Sequence, residues 1–118
     1  MSEFVFLYRH TAQGRQDTMG TPEQAQQSLS KWRAWFKEMS EKGYVKSIGQ
    51  PLEDAGRLVA GKRKTVTDGP YAETKDLIGG YSLIEASDLE QAAQIASGCP
   101  ILETGGSVEV RPVRQMNV

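Results

Sequence analysis

Five consecutive residues near the start, Phe4-Val5-Phe6-Leu7-Tyr8, are apolar or aromatic. A strand exposed on one face alternates apolar with polar, whereas an unbroken apolar run needs cover on both faces. The run therefore predicts a central strand over Glu3–Arg9, and whatever else the chain builds must supply two covering layers. One layer is legible at once. Thr21 is a helix N-cap followed by Pro22 in the first helical position and Gln24 at the third. Ala25, Leu29, Trp32, Phe36 and Met39 then recur at helical spacing, and Gly43 is a stop signal, so a helix is expected over Pro22–Lys42.

The remaining elements follow from punctuation and periodicity. Thr11–Gly20 is polar with two glycines and reads as a loop. Tyr44–Gly49 reads as a strand, and Pro51–Gly56 as a turn region. Arg57–Ala60 and Lys64–Thr67 read as a short hairpin around Gly61, and Gly80–Ala86 as a strand. Ser87 with Glu90 three positions on suggests a capping box for a second helix, whose face of Leu89, Ala92, Ala93 and Ala96 is small enough for close packing. Gly98 and Pro100 end it. Ser107–Val113 alternates cleanly, with Val108 and Val110 on one side and Ser107, Glu109 and Arg111 on the other; Pro112 suits an edge. Omitting the hairpin, the order is βαββαβ, an α+β fold of the ferredoxin-like type. Both helices cover one sheet face, and no segment is left for the other. A second subunit is the economical cover, so a homodimer is expected.

Composition narrows the function classes. The chain has 118 residues, enough for one domain spanning 1–118 with its own core. A net charge of −1 gives no footprint for nucleic acid, and the basic Lys62-Arg63-Lys64 cluster fits a solvated hairpin tip. One cysteine, Cys99, and one histidine, His10, exclude an internal disulfide and the usual Cys/His zinc site. No cofactor motif is present: neither a Walker loop nor G-x-G-x-x-G occurs. The N-terminus carries Glu3 and a short apolar run, unlike a signal peptide or a membrane span, and a cytoplasmic protein is the expectation.

The candidate chemistry lies in three places. Asp68-Gly69-Pro70 is a turn signal that either fixes a corner or presents the Asp68 carboxylate to a cleft as a general base. Glu73, Lys75 and Asp76 follow, either as solvated charges or with Lys75 neutralising an acidic ligand; Gly79-Gly80 then allows a close approach or a bulge. Ser107, Glu109 and Arg111 share one face of the last strand, next to the end of the first, where Arg9 and His10 stand. Arg9, Lys75, Ser107, Glu109 and Arg111 are thus candidate substrate-binding groups, Asp68 the candidate base and His10 a second catalytic candidate. Cys99 reads as a buried, inert thiol. Trp32, Trp35 and Phe36 read as core and interface, with an aromatic edge available to a pocket.

The run Val66-Thr67-Asp68-Gly69-Pro70-Tyr71-Ala72-Glu73-Thr74-Lys75-Asp76, the later Gly79-Gly80-Tyr81, and the closing Gly106-Ser107-Val108-Glu109-Val110-Arg111-Pro112 resemble the DGPF-domain branch of the YCII-related family. The branch's V-T-D-G-P-F-A-E-T-K-E pattern is departed from at Tyr71 and Asp76. The resemblance implies a dimeric α+β barrel. For function it implies either a small-molecule-binding protein of lyase or dehalogenase type, with Asp68 at the motif's acidic position, or a non-catalytic module with a regulatory protein partner linked to alternative sigma factors. Many relatives carry His at the first-helix position occupied here by Trp32.

Overall fold

The Phe4–Tyr8 run lies inside a strand, β1 (Ser2–His10), that is flanked on both sides. A computed structural model, which describes residues 1–69 and 77–116, pairs β1 antiparallel with β5 (Leu77–Ala86) on one side and with β6 (Ser107–Pro112) on the other. With β2 (Val45–Ser47) the sheet order is β2-β5-β1-β6, the ferredoxin-like arrangement. Between β2 and β5 the chain makes a separate two-stranded hairpin, β3 (Gly56–Ala60) with β4 (Thr65–Gly69). The Pro70–Asp76 part of the family-like motif lies outside the described residues.

One face of the sheet carries the core. Phe4, Phe6 and Tyr8 stand opposite Ile84, Ser82 and Gly80 on β5, and opposite Pro112, Val110 and Val108 on β6. Onto them pack α2 (Pro22–Glu41) and α3 (Leu89–Ala96), with a short 3-10 helix, Pro100–Thr104. The capping box of α2 forms as its sequence predicts: Thr21 Oγ1 accepts from the Gln24 amide, and Gln24 Oε1 accepts from the Thr21 amide. Its apolar stripe is divided, however. Trp35 and Met39 are buried, Trp32 and Phe36 are half-buried, and Leu29 is exposed. The first half of α2 overhangs a cleft rather than the core.

Two expectations are corrected. Thr11–Gly20 is not a loop but contains α1 (Ala12–Met19), started by Thr11 Oγ1 accepting from the Gly14 amide and supported by a Gln13–Asp17 side-chain bond one turn apart. It has no apolar stripe to betray it and is held by capping and by packing on α2 and the 3-10 helix. The α3 cap is Asp88, one residue later than Ser87: its carboxylate accepts from the Gln91 amide while Gln91 Oε1 accepts from the Ser87 amide. Among the described residues no helix is long and apolar enough to cross a membrane.

The opposite sheet face carries Val5, Leu7, Tyr81 and Leu83, interspersed with Glu3, Arg9 and Glu109. Among the described residues no helix or strand packs over it. The half-exposure of Val5, Leu7 and Leu83 marks an apolar strip inside a charged frame.

Candidate functional site

Beyond β2 the chain does not leave the sheet immediately. Residues 48–52 run beside the start of β5: the Tyr81 amide donates to the Gln50 carbonyl and the Leu52 amide to the Gly79 carbonyl, at 3.4 and 2.8 Å. Gly49 makes this close approach feasible, because it has φ +68° and a Cβ there would collide with the Tyr81 carbonyl. This segment stands off from α2, and the gap between them is a cleft of about 400 Å³.

Each wall comes from a different element. Tyr8 and His10 of β1, with Gly79 and Gly80 of β5, form the floor. Leu29, Trp32 and Phe36 of α2 form one wall, Ile48 to Leu52 the other, and Arg15 and Met19 of α1 close one end with Ile101 and Thr104. Aromatic rings interlock along the α2 side: Trp32 meets Tyr8 edge to face at 4.9 Å between centroids and Phe36 at 5.7 Å. Such a space suits a flat, largely apolar molecule.

The polar groups are few. His10 Nδ1 lies 3.2 Å from the Thr11 carbonyl. Arg15, at one end of the cleft, pairs with Asp54 at 3.0 Å. Tyr8 donates to Ser82 at 2.7 Å, and burial raises its pKa well above the ordinary 10.0, so it stays a neutral phenol. Cys99 lies buried in the core, where desolvation pushes its thiol up to about 12 and favours the protonated form at neutral pH. Among the described residues no group of three or more His, Cys, Asp and Glu side chains is placed to hold a metal.

The sequence candidates divide into separate places. His10 lines the cleft. Arg9, Ser107, Glu109 and Arg111 are together, as strand adjacency predicts, but on the opposite sheet face. Arg9 holds Glu109 Oε1 through Nη2 at 2.7 Å and Nε at 3.0 Å, while Arg111 Nε lies 3.9 Å from Glu109 Oε2. Asp68 stands on the hairpin with its side chain 95% exposed, 3.4 Å from Arg57 across the two strands, and does not line the cleft. Lys75 lies outside the described residues. The aromatic edge that the sequence offered to a pocket is supplied by Trp32 and Phe36, whereas Leu29 and the 48–52 segment are site elements that the sequence did not single out. The signal for the aromatic edge was the stripe's excess width: Trp32, Trp35 and Phe36 together exceed what one buried seam needs.

A model of the YCII-related domain family matches residues 6–117. Among solved structures, the chain is similar to 5-chloro-2-hydroxyhydroquinone dehydrochlorinase from Burkholderia phenoliruptrix AC1100, solved in complex with 2,5-dihydroxybenzoquinone. The TM-score is 0.55 at 16% sequence identity, with 97% of this chain and 95% of that one covered. At that identity the likeness is one of fold. No curated protein sequence matches significantly.

Proposed function

We propose that this chain, which belongs to the YCII-related family, binds a flat small organic molecule in the cleft between α2 and the sheet and acts on it as an enzyme of lyase or dehalogenase type. The observation that carries the reading is the aromatic-walled cleft with the chain's one histidine in its lining. The dehydrochlorinase of the same fold, seen with a quinone, supports the reaction class. In such a step a base takes a proton from one atom of the ligand while a neighbouring bond breaks. The freed pair forms a double bond, the proton rests on the base, and the leaving group departs as an anion with its bonding electrons. His10 is the base this reading assigns, since it borders the ligand space and Asp68 does not.

The reading includes a homodimer closed over the sheet face opposite the helices, with the Val5, Leu7 and Leu83 strip buried and the Arg9–Glu109 pair enclosed. Sedimentation of the pure protein tests this part, and a stable monomer at micromolar concentration overturns it. The catalytic part is tested by halide release from chlorinated hydroquinones and phenols. His10→Ala should lose about 10²-fold or more of the rate, with Asp68→Ala retaining it. Absence of halide release together with absence of any thermal shift by these compounds removes the reading. A loss in Asp68→Ala alone moves the base to the hairpin.

A further inference from the structure

We infer that Gly79 is a positioning residue for His10: the missing side chain at 79 seats the imidazole against β5 with Nδ1 engaged by the backbone and Nε2 left as an acceptor for a ligand's O–H or N–H. The inference rests on the reading of the cleft as a ligand site. Its structural core stands on the strand geometry alone.

The ladder between β1 and β5 pairs Tyr8 with Gly80 and Arg9 with Ile78, so Gly79 is an extra residue, a bulge in β5. Its carbonyl is fastened to the Leu52 amide at 2.8 Å, which stops the bulge from folding away. The His10 ring fills the space above it. A Cβ built on Gly79 would fall 2.5 Å from His10 Nε2 and collide with Cδ2. Among the described residues the nearest heavy atoms to that Cβ all belong to His10, so a side chain at 79 would displace the ring. Gly79 needs no special backbone angle for this role; its φ is not in the left-handed range.

The second half of the device is the tautomer. The Thr11 carbonyl has only lone pairs to offer, so His10 Nδ1, 3.2 Å away, must carry the hydrogen of the neutral ring. The remaining lone pair is then on Nε2, over Gly79, in a ring that lines the cleft. A ring pushed off this seat loses the Thr11 contact and with it the fixed tautomer. The ligand chemistry follows: a donor group, such as a hydroxyl on a ring, meets Nε2, whereas its methyl ether does not.

The test is a cycle of Gly79→Ala, His10→Ala and the double variant, with thermal unfolding and ¹⁵N NMR of the imidazole as readouts. Wild type should show the Nδ1–H tautomer in the neutral ring. Gly79→Ala should lower Tm by several degrees and scramble that tautomer, and the same substitution in the His10→Ala background should cost markedly less. A Gly79→Ala protein that fails to fold while the double variant folds carries the same meaning. An equal loss in both backgrounds, or failure of both to fold, overturns the seat; an Nε2–H tautomer in wild type overturns the acceptor. Neither readout uses a ligand, so the result is independent of whether the elimination reading survives.

Discussion

The Tyr8 hydroxyl donates to Ser82 Oγ at 2.7 Å, and Ser82 donates in turn to the Ile48 carbonyl, also at 2.7 Å. Both side chains are buried, so this two-bond chain links the central strand to the cleft wall without solvent. The two ends of the chain have different fates on mutation. Ser82→Ala deprives the Tyr8 hydroxyl of its acceptor, a stranded buried group that costs about 1–3 kcal/mol, and also removes the donor of the part-buried Ile48 carbonyl bond. Tyr8→Phe removes only the first bond, and Ser82 still donates to Ile48, so about 1 kcal/mol is expected. Urea unfolding should rank Ser82→Ala well below Tyr8→Phe in stability. The reverse ranking would mean that the chain does not bind the wall to the sheet.

Trp35 and Trp32 lie one turn apart on α2 with centroids 5.8 Å apart, yet they have different tasks. Trp35 is 8% exposed and stacks over Phe6 at 6.4 Å with an interplanar angle of 17°. Trp35→Ala opens a core cavity and should cost about 3–5 kcal/mol. Trp32 is half-buried and borders the cleft. Trp32→Ala should cost clearly less in unfolding free energy while weakening binding of any aromatic ligand that shifts wild-type Tm. If the two variants lose equal stability and equal ligand response, the division of the stripe into core and cleft is refuted.

That division also shows how far the sequence reaches. The sheet was legible because Phe4–Tyr8 needs cover on both sides and Ser107–Val113 alternates. Helix α2 was legible because its cap and stripe agree. Helix α1 was not, since Gln13, Gly14, Arg15, Gln16 and Asp17 carry no apolar period and the helix depends on a cap and a neighbour. Within the site, His10 and the Gly79-Gly80 pair were visible as residues, and the bulge was a stated alternative. Their contact was not, because it depends on a one-residue slip in a ladder between strands far apart in sequence. The cleft itself arises where 48–52 stays beside β5 through backbone bonds, which no side-chain pattern encodes.

Alkaline pH should destabilise the protein through two buried acids. Burial pushes Cys99 up from 9.0 to about 12, and a backbone hydrogen bond with Ile101 offsets this only in part. Burial likewise raises Tyr8 above its ordinary 10.0, against the opposing effect of its bond to Ser82. In the unfolded chain both groups release their protons near their ordinary values, while the folded chain retains them. Above about pH 9 the unfolded state therefore binds fewer protons, and stability falls with rising pH. It is fully present below that value and drains away toward the folded pKa of each group. Each group contributes a slope of up to about 1.4 kcal/mol per pH unit once its unfolded form is ionised. Urea midpoints between pH 7 and pH 10.5 should be flat at first and then decline, and Cys99→Ala should decline less steeply than wild type over the same interval, whatever its stability at pH 7. The native thiol should also resist a disulfide reagent at pH 8 and react on addition of denaturant. A native thiol that reacts at the rate of a free cysteine, or midpoints that stay level to pH 10.5, would show that Cys99 is not held neutral by the core.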